Sequence, residues 1–150
     1  MKFTVMIPLL LIAALVSACR GSSVKFSPGY YAAEAKNFDS HGWKEYVSIF
    51  INNNEIVTVE YNAKNAAGFI KSWDMDYMRA MNRVSGTYPN EYTRIYAGAL
   101  LESQDPDRID ALSGATASYH SFKLLAKAAI VQAKAGDKSV SFIDIPEFEE

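Results

Sequence analysis

The alternation of apolar and polar positions first becomes regular at Trp43. Trp43, Glu45, Val47, Ile49 and Ile51 fall on one side of an extended chain, and Lys44, Tyr46, Ser48 and Phe50 fall on the other. A second β-branched run extends from Ile56 to Tyr61. The Asn52-Asn53-Asn54 triplet between the runs suits a tight turn, so a hairpin is predicted. Tyr30 to Ala35, after the Pro28-Gly29 turn signal, predicts an earlier strand.

Beyond the hairpin the period changes to that of a helix. Ser72 is expected to cap a helix with Asp74 and Asp76 in its first turn, an apolar stripe of Trp73, Tyr77, Met81 and Val84, and Gly86 at its exit. Tyr88-Pro89-Asn90 separates it from a second helix, whose expected inner face is Tyr92, Ile95, Tyr96, Ala99 and Leu100. Asp105-Pro106-Asp107 breaks the chain again. A last helix is predicted from Thr116 to Ala135, closed by Gly136, with a stripe of Tyr119, Phe122, Ala126, Ala129, Ile130 and Ala133. Ser139 to Ile145 predicts a late edge strand, and Pro146 to Glu150 a frayed acidic tail. Strands, then helices, then a strand predict an α+β fold, a small antiparallel sheet with packed helices.

The N-terminus is of another kind. Lys2 precedes an apolar stretch from Phe3 to Val16, broken only by Thr4 and Pro8, and the small residues Ser17 and Ala18 lead to Cys19. This is the pattern of an exported, processed N-terminus, and the run is shorter than the roughly 20 residues of a spanning helix. The quartet Val16-Ser17-Ala18-Cys19 resembles the bacterial lipobox. That resemblance implies a signal peptide over 1–18 and acylation of the Cys19 thiol. It also implies a tether over 19–27 and a domain over 28–150 facing outside the cytoplasm, held to the lipid bilayer of the cell envelope.

Composition changes this picture little: 49% hydrophobic and 21% charged residues describe an ordinary globular domain. A formal charge of -2 without a basic run predicts no nucleic-acid partner. Cys19 is the single cysteine, so no disulfide forms within the chain. His41 and His120 lie far apart, and Glu34, Asp39, Asp105 and Asp107 lack metal-ligand spacing, so no metal site is expected.

The chemistry concentrates in Asp110-Ala111-Leu112-Ser113-Gly114-Ala115-Thr116-Ala117-Ser118, at the predicted loop-to-helix junction. Free backbone N–H groups and the positive helix end suit a phosphate there. Gly114 permits a positive φ and close approach of a ligand, and Ala115 keeps the same space open. Ser113 and Thr116 can donate to phosphate oxygens or simply cap the helix. The residues by themselves describe an anion site or a plain helix cap.

Asp110-x-x-Ser113-Gly114-Ala115-Thr116-x-Ser118 resembles the flavinylation motif of the FMN-binding domain family. That family includes the flavin subunits of sodium-pumping quinone reductases and many small exported lipoproteins. Tyr30-Tyr31, His41-Gly42-Trp43, the asparagine hairpin, Lys71-Ser72 and the helix ending at Gly136 are also similar, so the likeness covers residues 28–137. It implies FMN joined through a phosphoester to Ser118 by a flavin transferase that uses FAD. Thr116, Ala115, Gly114, Ser113 and Asp110 then form the cofactor's surroundings. Serine stands where the family more often has threonine, with the same nucleophilic oxygen. The implied role is an electron-transfer carrier with a membrane redox partner, rather than an enzyme with its own small substrate, FMN itself supplying one- and two-electron chemistry. A non-covalent FMN-binding module and a flavin-free structural or antigenic surface lipoprotein are the alternatives. Trp43 and Trp73 are the aromatic candidates for the flavin ring. Lys71, Arg79, Arg83 and Arg94 can favour a reduced, anionic flavin but read mainly as a solvated helix face, and His120 as a surface imidazole.

The lone thiol generates the first prediction. Cys19→Ala is expected to release the protein from the membrane fraction and abolish incorporation of radiolabelled fatty acid. Unchanged labelling of the variant would contradict the anchor.

Overall fold

The computed structural model describes residues 25–148, and Cys19 with its flanking leader lies outside them. Strands β1 (Gly29–Ala35), β2 (Lys44–Asn52) and β3 (Glu55–Lys64) form an antiparallel meander, and β4 (Ser141–Ile143) pairs parallel to β1 at the edge. The sheet order is β3-β2-β1-β4. Asn53 and Asn54 both take positive φ, 49° and 65°, the conformation a two-residue hairpin turn needs to match the strand twist.

Alternation places Tyr31 and Ala33 of β1 and Val47, Ile49 and Ile51 of β2 on the inner face. In β3 the inward residues Ile56 and Val59 are three apart rather than two. A register shift opposite Phe50 and Ile51 explains this, because it skips Val57 and returns Ile56 to the core beside Ile51.

Three helices follow: α1 (Met75–Ser85), α2 (Pro89–Ser103) and α3 (Thr116–Ala135). Helix α2 packs on β3, and α3 lies across β1 and β2, so the helices cover one face of the sheet. The other face is wet. There Tyr30 stacks on Phe50 at 4.5 Å, and Glu34 pairs with Lys64 at 2.7 Å and with Lys44 at 3.8 Å. Among the described residues no helix is long and apolar enough to cross a membrane. Phe26 and Ser27 already pack on the domain, the Ser27 N–H donating to the Ala133 carbonyl at 2.9 Å.

Several expectations are corrected. Ser72 does not cap α1: it is buried in a short 3-10 turn (Lys71–Trp73) and accepts from Asn62 Nδ2 at 2.8 Å. Asp74 is the cap, accepting from the Tyr77 N–H at 2.9 Å, because the 3-10 turn delays the start of α1. The stripe expected on α1 is not a core face, for the helix has no buried residue, and Trp73 and Val84 are 66% and 89% exposed. On α2 the buried face is Pro89, Tyr92, Thr93, Tyr96 and Leu100, turned so that Ile95 is 44% exposed. On α3, Leu125 joins the expected stripe and Tyr119 stays at its margin. The residues after β4 do not fray at once. Phe148 stacks on His120 at 4.8 Å, so the chain folds back toward α3.

Phe122 lies at the centre, fully buried, with its ring 4.9 Å from Tyr61 and 5.6 Å from Tyr96. Phe122→Ala is expected to lower unfolding free energy by about 3–5 kcal/mol in urea titration. Ile95→Ala, from the exposed side of α2, should change it by about 0.5 kcal/mol or less. Equal losses would show that the two helices are packed otherwise.

Candidate functional site

The first turn of α3 is held from below by two buried tyrosines. Tyr96, on the inner face of α2, donates its hydroxyl to the Ala115 carbonyl at 3.0 Å and accepts from the Leu112 N–H at 3.0 Å. Tyr61, at the inner end of β3, sits with its hydroxyl 2.9 Å from the Ser118 carbonyl and 2.7 Å from Glu45 Oε1. Its single proton serves one of these acceptors at a time.

No side chain caps α3. Its N-cap is Ala115, and its first turn has no acidic residue. Among the described residues the N–H groups of Thr116, Ala117 and Ser118 have no hydrogen-bond partner. They therefore present the partial positive charge of a helix end to whatever lies in front of them. Beside Ala117 and Ser118 of this turn is a cavity of about 510 Å³. Its walls come from the end of β1 and the following loop (Phe38, Asp39, His41), from β2 (Glu45) with Trp43 just before it, from α1 (Tyr77, Met81), and from the segment Ile145–Phe148; Lys71 and Ser121 complete them.

Two charged groups stand out in this wall. Burial pushes the Glu45 carboxyl above its ordinary value, opposed by Lys71 and by the hydroxyls of Tyr61 and Ser121. Burial pushes the Lys71 ammonium down, but Tyr92, Tyr77, Glu45 and Asp39 around it outweigh that, and the net displacement is upward. Lys71 therefore stays charged at neutral pH. Its Nζ lies 4.9 Å from the Tyr77 ring centre and 6.0 Å from that of Trp43. Burial pushes the Tyr92 phenol above its ordinary value, opposed by the Lys71 charge.

The motif residues are not brought together as expected. Ser118 is buried and lines the cavity, whereas Asp110, Ser113 and Thr116 are exposed and do not. Gly114 does take a positive φ of 80°, but the backbone it approaches is protein: a Cβ there would meet the Ser85 carbonyl oxygen at 2.1 Å. Ala115 is fully buried in the core, so it holds open no space for a ligand. Neither Ser113 nor Thr116 caps the helix. Of the two tryptophans, Trp43 is in the wall and Trp73 is not. Arg79, Arg83 and Arg94 are exposed, but Lys71 is not on a solvated face; it is 7% exposed. His120 is exposed, as expected, and stacks on Phe148.

Sequence reasoning missed Glu45 and placed Lys71, already a candidate cation for the flavin, mainly on a solvated face. For Glu45 the signal was present, a carboxylate on the inward side of the β2 alternation between Trp43 and Val47. The burial of Lys71 had none, because a 3-10 turn has no periodicity that marks which of its side chains is buried.

A curated relative is 37% identical over 129 residues, which is 86% of this chain and 90% of the relative, the 15 kDa lipoprotein of Treponema pallidum (strain Nichols). This chain belongs to that protein's family. A crystal structure of a Clostridium perfringens protein superposes with a TM-score of 0.77 at 34% identity, covering 81% of this chain and 99% of the clostridial one. No family model matches the chain. The treponemal match is long enough to include the sheet and all three helices.

Packing at Gly114 sets the third prediction. Gly86 and Gly114 both have positive φ, 72° and 80°, but a Cβ at Gly86 meets nothing within 4 Å. Gly86→Ala is expected to cost about 1–2 kcal/mol for the left-handed backbone alone. Gly114→Ala should cost measurably more in the same urea titration, since Ser85 must also move. Equal costs would mean that the motif loop does not press against the end of α1.

Proposed function

We propose that this protein is an envelope-anchored lipoprotein that carries FMN esterified to Ser118 and acts as an extracytoplasmic electron carrier, loaded by a flavin transferase. The likeness to a protein named a lipoprotein and the quartet ending at Cys19 support the anchor. The observation that carries the flavin is the position of Ser118. It is the one motif hydroxyl on the wall of the cavity, which also holds Trp43, Tyr77 and Lys71.

The residues present fit the group. A volume of about 510 Å³ lies within the range of small-molecule sites, about 300–1,000 Å³. A phosphodiester on Ser118 would keep one negative charge at a helix end whose first-turn N–H groups are unpartnered. Trp43 and Tyr77 offer aromatic surface to a planar ring. FMN supplies one- and two-electron transfer when bound. Ser118 retains the cofactor in a compartment where a dissociated flavin is lost, because reversible occupancy depends on free ligand. Asp110 and Thr116, exposed beside the loop, are placed for recognition by the transferase rather than for contact with the ring. A redox partner in the membrane completes the proposed route.

A flavin-free surface lipoprotein is the second reading. The treponemal relative's name favours it, since that name describes a lipoprotein and no cofactor. A non-covalent FMN module is the third.

Peptide mass spectrometry of protein co-expressed with a flavin transferase, with FAD and magnesium, separates them. A modified peptide mapping to Ser118 is expected, lost in Ser118→Ala and kept in Ser118→Thr. Modification at Thr116 or Ser113 would move the site. Flavin that leaves on denaturation would favour the non-covalent module, and colourless protein the flavin-free reading.

A further inference from the structure

The cavity beside the first turn of α3 also carries a buried cation, Lys71. Lys71 is 7% exposed, yet no carboxylate lies within 4.0 Å of its Nζ among the described residues. The Tyr77 and Trp43 rings, with Glu45 and Asp39 further off, keep it charged on the cavity wall, where a closer anion can still meet it. The structure gives the protein's own acids other work. Asp39 accepts from the N–H groups of His41 at 2.9 Å and Trp43 at 2.7 Å, and Glu45 is held by the Tyr61 hydroxyl at 2.7 Å. Glu147 comes from the loose segment at the mouth.

We propose that Lys71 is the charge-reading residue of this cavity, binding the phosphate of a phosphate-bearing aromatic ligand against the first turn of α3 and thereby rejecting neutral analogues. The proposal rests on the cavity being the flavin site, but not on the ester bond at Ser118. Lys71 lines the same cavity as Ala117 and Ser118 of the α3 first turn, and the aromatic walls of Trp43 and Tyr77 receive the rest of the molecule. Lys71 is thus a specificity-determining residue. A neutral ligand of the same shape leaves its ammonium without a counter-charge.

Full-length protein in detergent, produced without a transferase, is titrated with FMN and with riboflavin, which lacks the phosphate. Quenching of flavin fluorescence reports binding. FMN is expected to bind about ten-fold or more tightly than riboflavin, the scale of one charge-assisted hydrogen bond. Lys71→Met should abolish that preference, Lys71→Arg should keep it, and Arg79→Met, on an exposed side chain, should leave it unchanged. Equal affinities in the wild type, no binding of either flavin, or a preference that survives Lys71→Met would each overturn the proposal. The two claims fail separately. A Lys71-dependent preference for FMN with no flavin-modified Ser118 peptide removes the ester and keeps this inference. A modified peptide without the preference does the reverse.

Discussion

Two tyrosine hydroxyls, buried where water cannot satisfy them, decide where the start of α3 lies. Each must find protein partners, and each finds them on the backbone between Leu112 and Ser118. Tyr96 ties that backbone to α2, and Tyr61 ties it to β3. The helix end therefore cannot slide along the sheet without orphaning a buried hydroxyl. Because Tyr61 also bonds Glu45, the same hydroxyl couples the helix end to the carboxylate in the cavity wall. The placement of Ser118 on the cavity wall follows from this anchoring.

The anchoring also explains why the glycine and alanine of the motif serve packing. With the loop drawn down onto Tyr96, Gly114 presses on the Ser85 carbonyl and Ala115 enters the core, so neither faces a ligand. The small residues let the loop come close to α1 and the core. The hydroxyl at the end of the motif, one turn further on, is the group that reaches the cavity. A motif that reads as one chemical unit along the chain is divided in space between structure and chemistry.

The strands and α3 were legible in the sequence because their burial follows strict periods. The β2 alternation, the asparagine turn and the α3 stripe each match one face of one element. Elements whose period is broken were harder to read. The bulge at Val57 resets β3, the 3-10 turn at Lys71–Trp73 shifts the start of α1, and α1 itself buries no residue and brings Met81 only to the margin of the core. The cavity wall was the least legible part. It is assembled from a loop, two strands, a 3-10 turn, two helices and the C-terminal segment, which lie adjacent only in three dimensions. Ser118 was readable because its neighbours form a local pattern. Lys71 was not, because its burial depends on Trp43 and Tyr77 from other elements.

The central claim is that the cavity before α3 is where a flavin resides. A crystal structure of the protein co-expressed with a flavin transferase tests it most directly. The account predicts electron density continuous with the Ser118 side chain, a phosphate facing the α3 first turn and Lys71, and a planar ring against Trp43 or Tyr77. Flavin density attached elsewhere, or a ring lying outside this cavity, would contradict it.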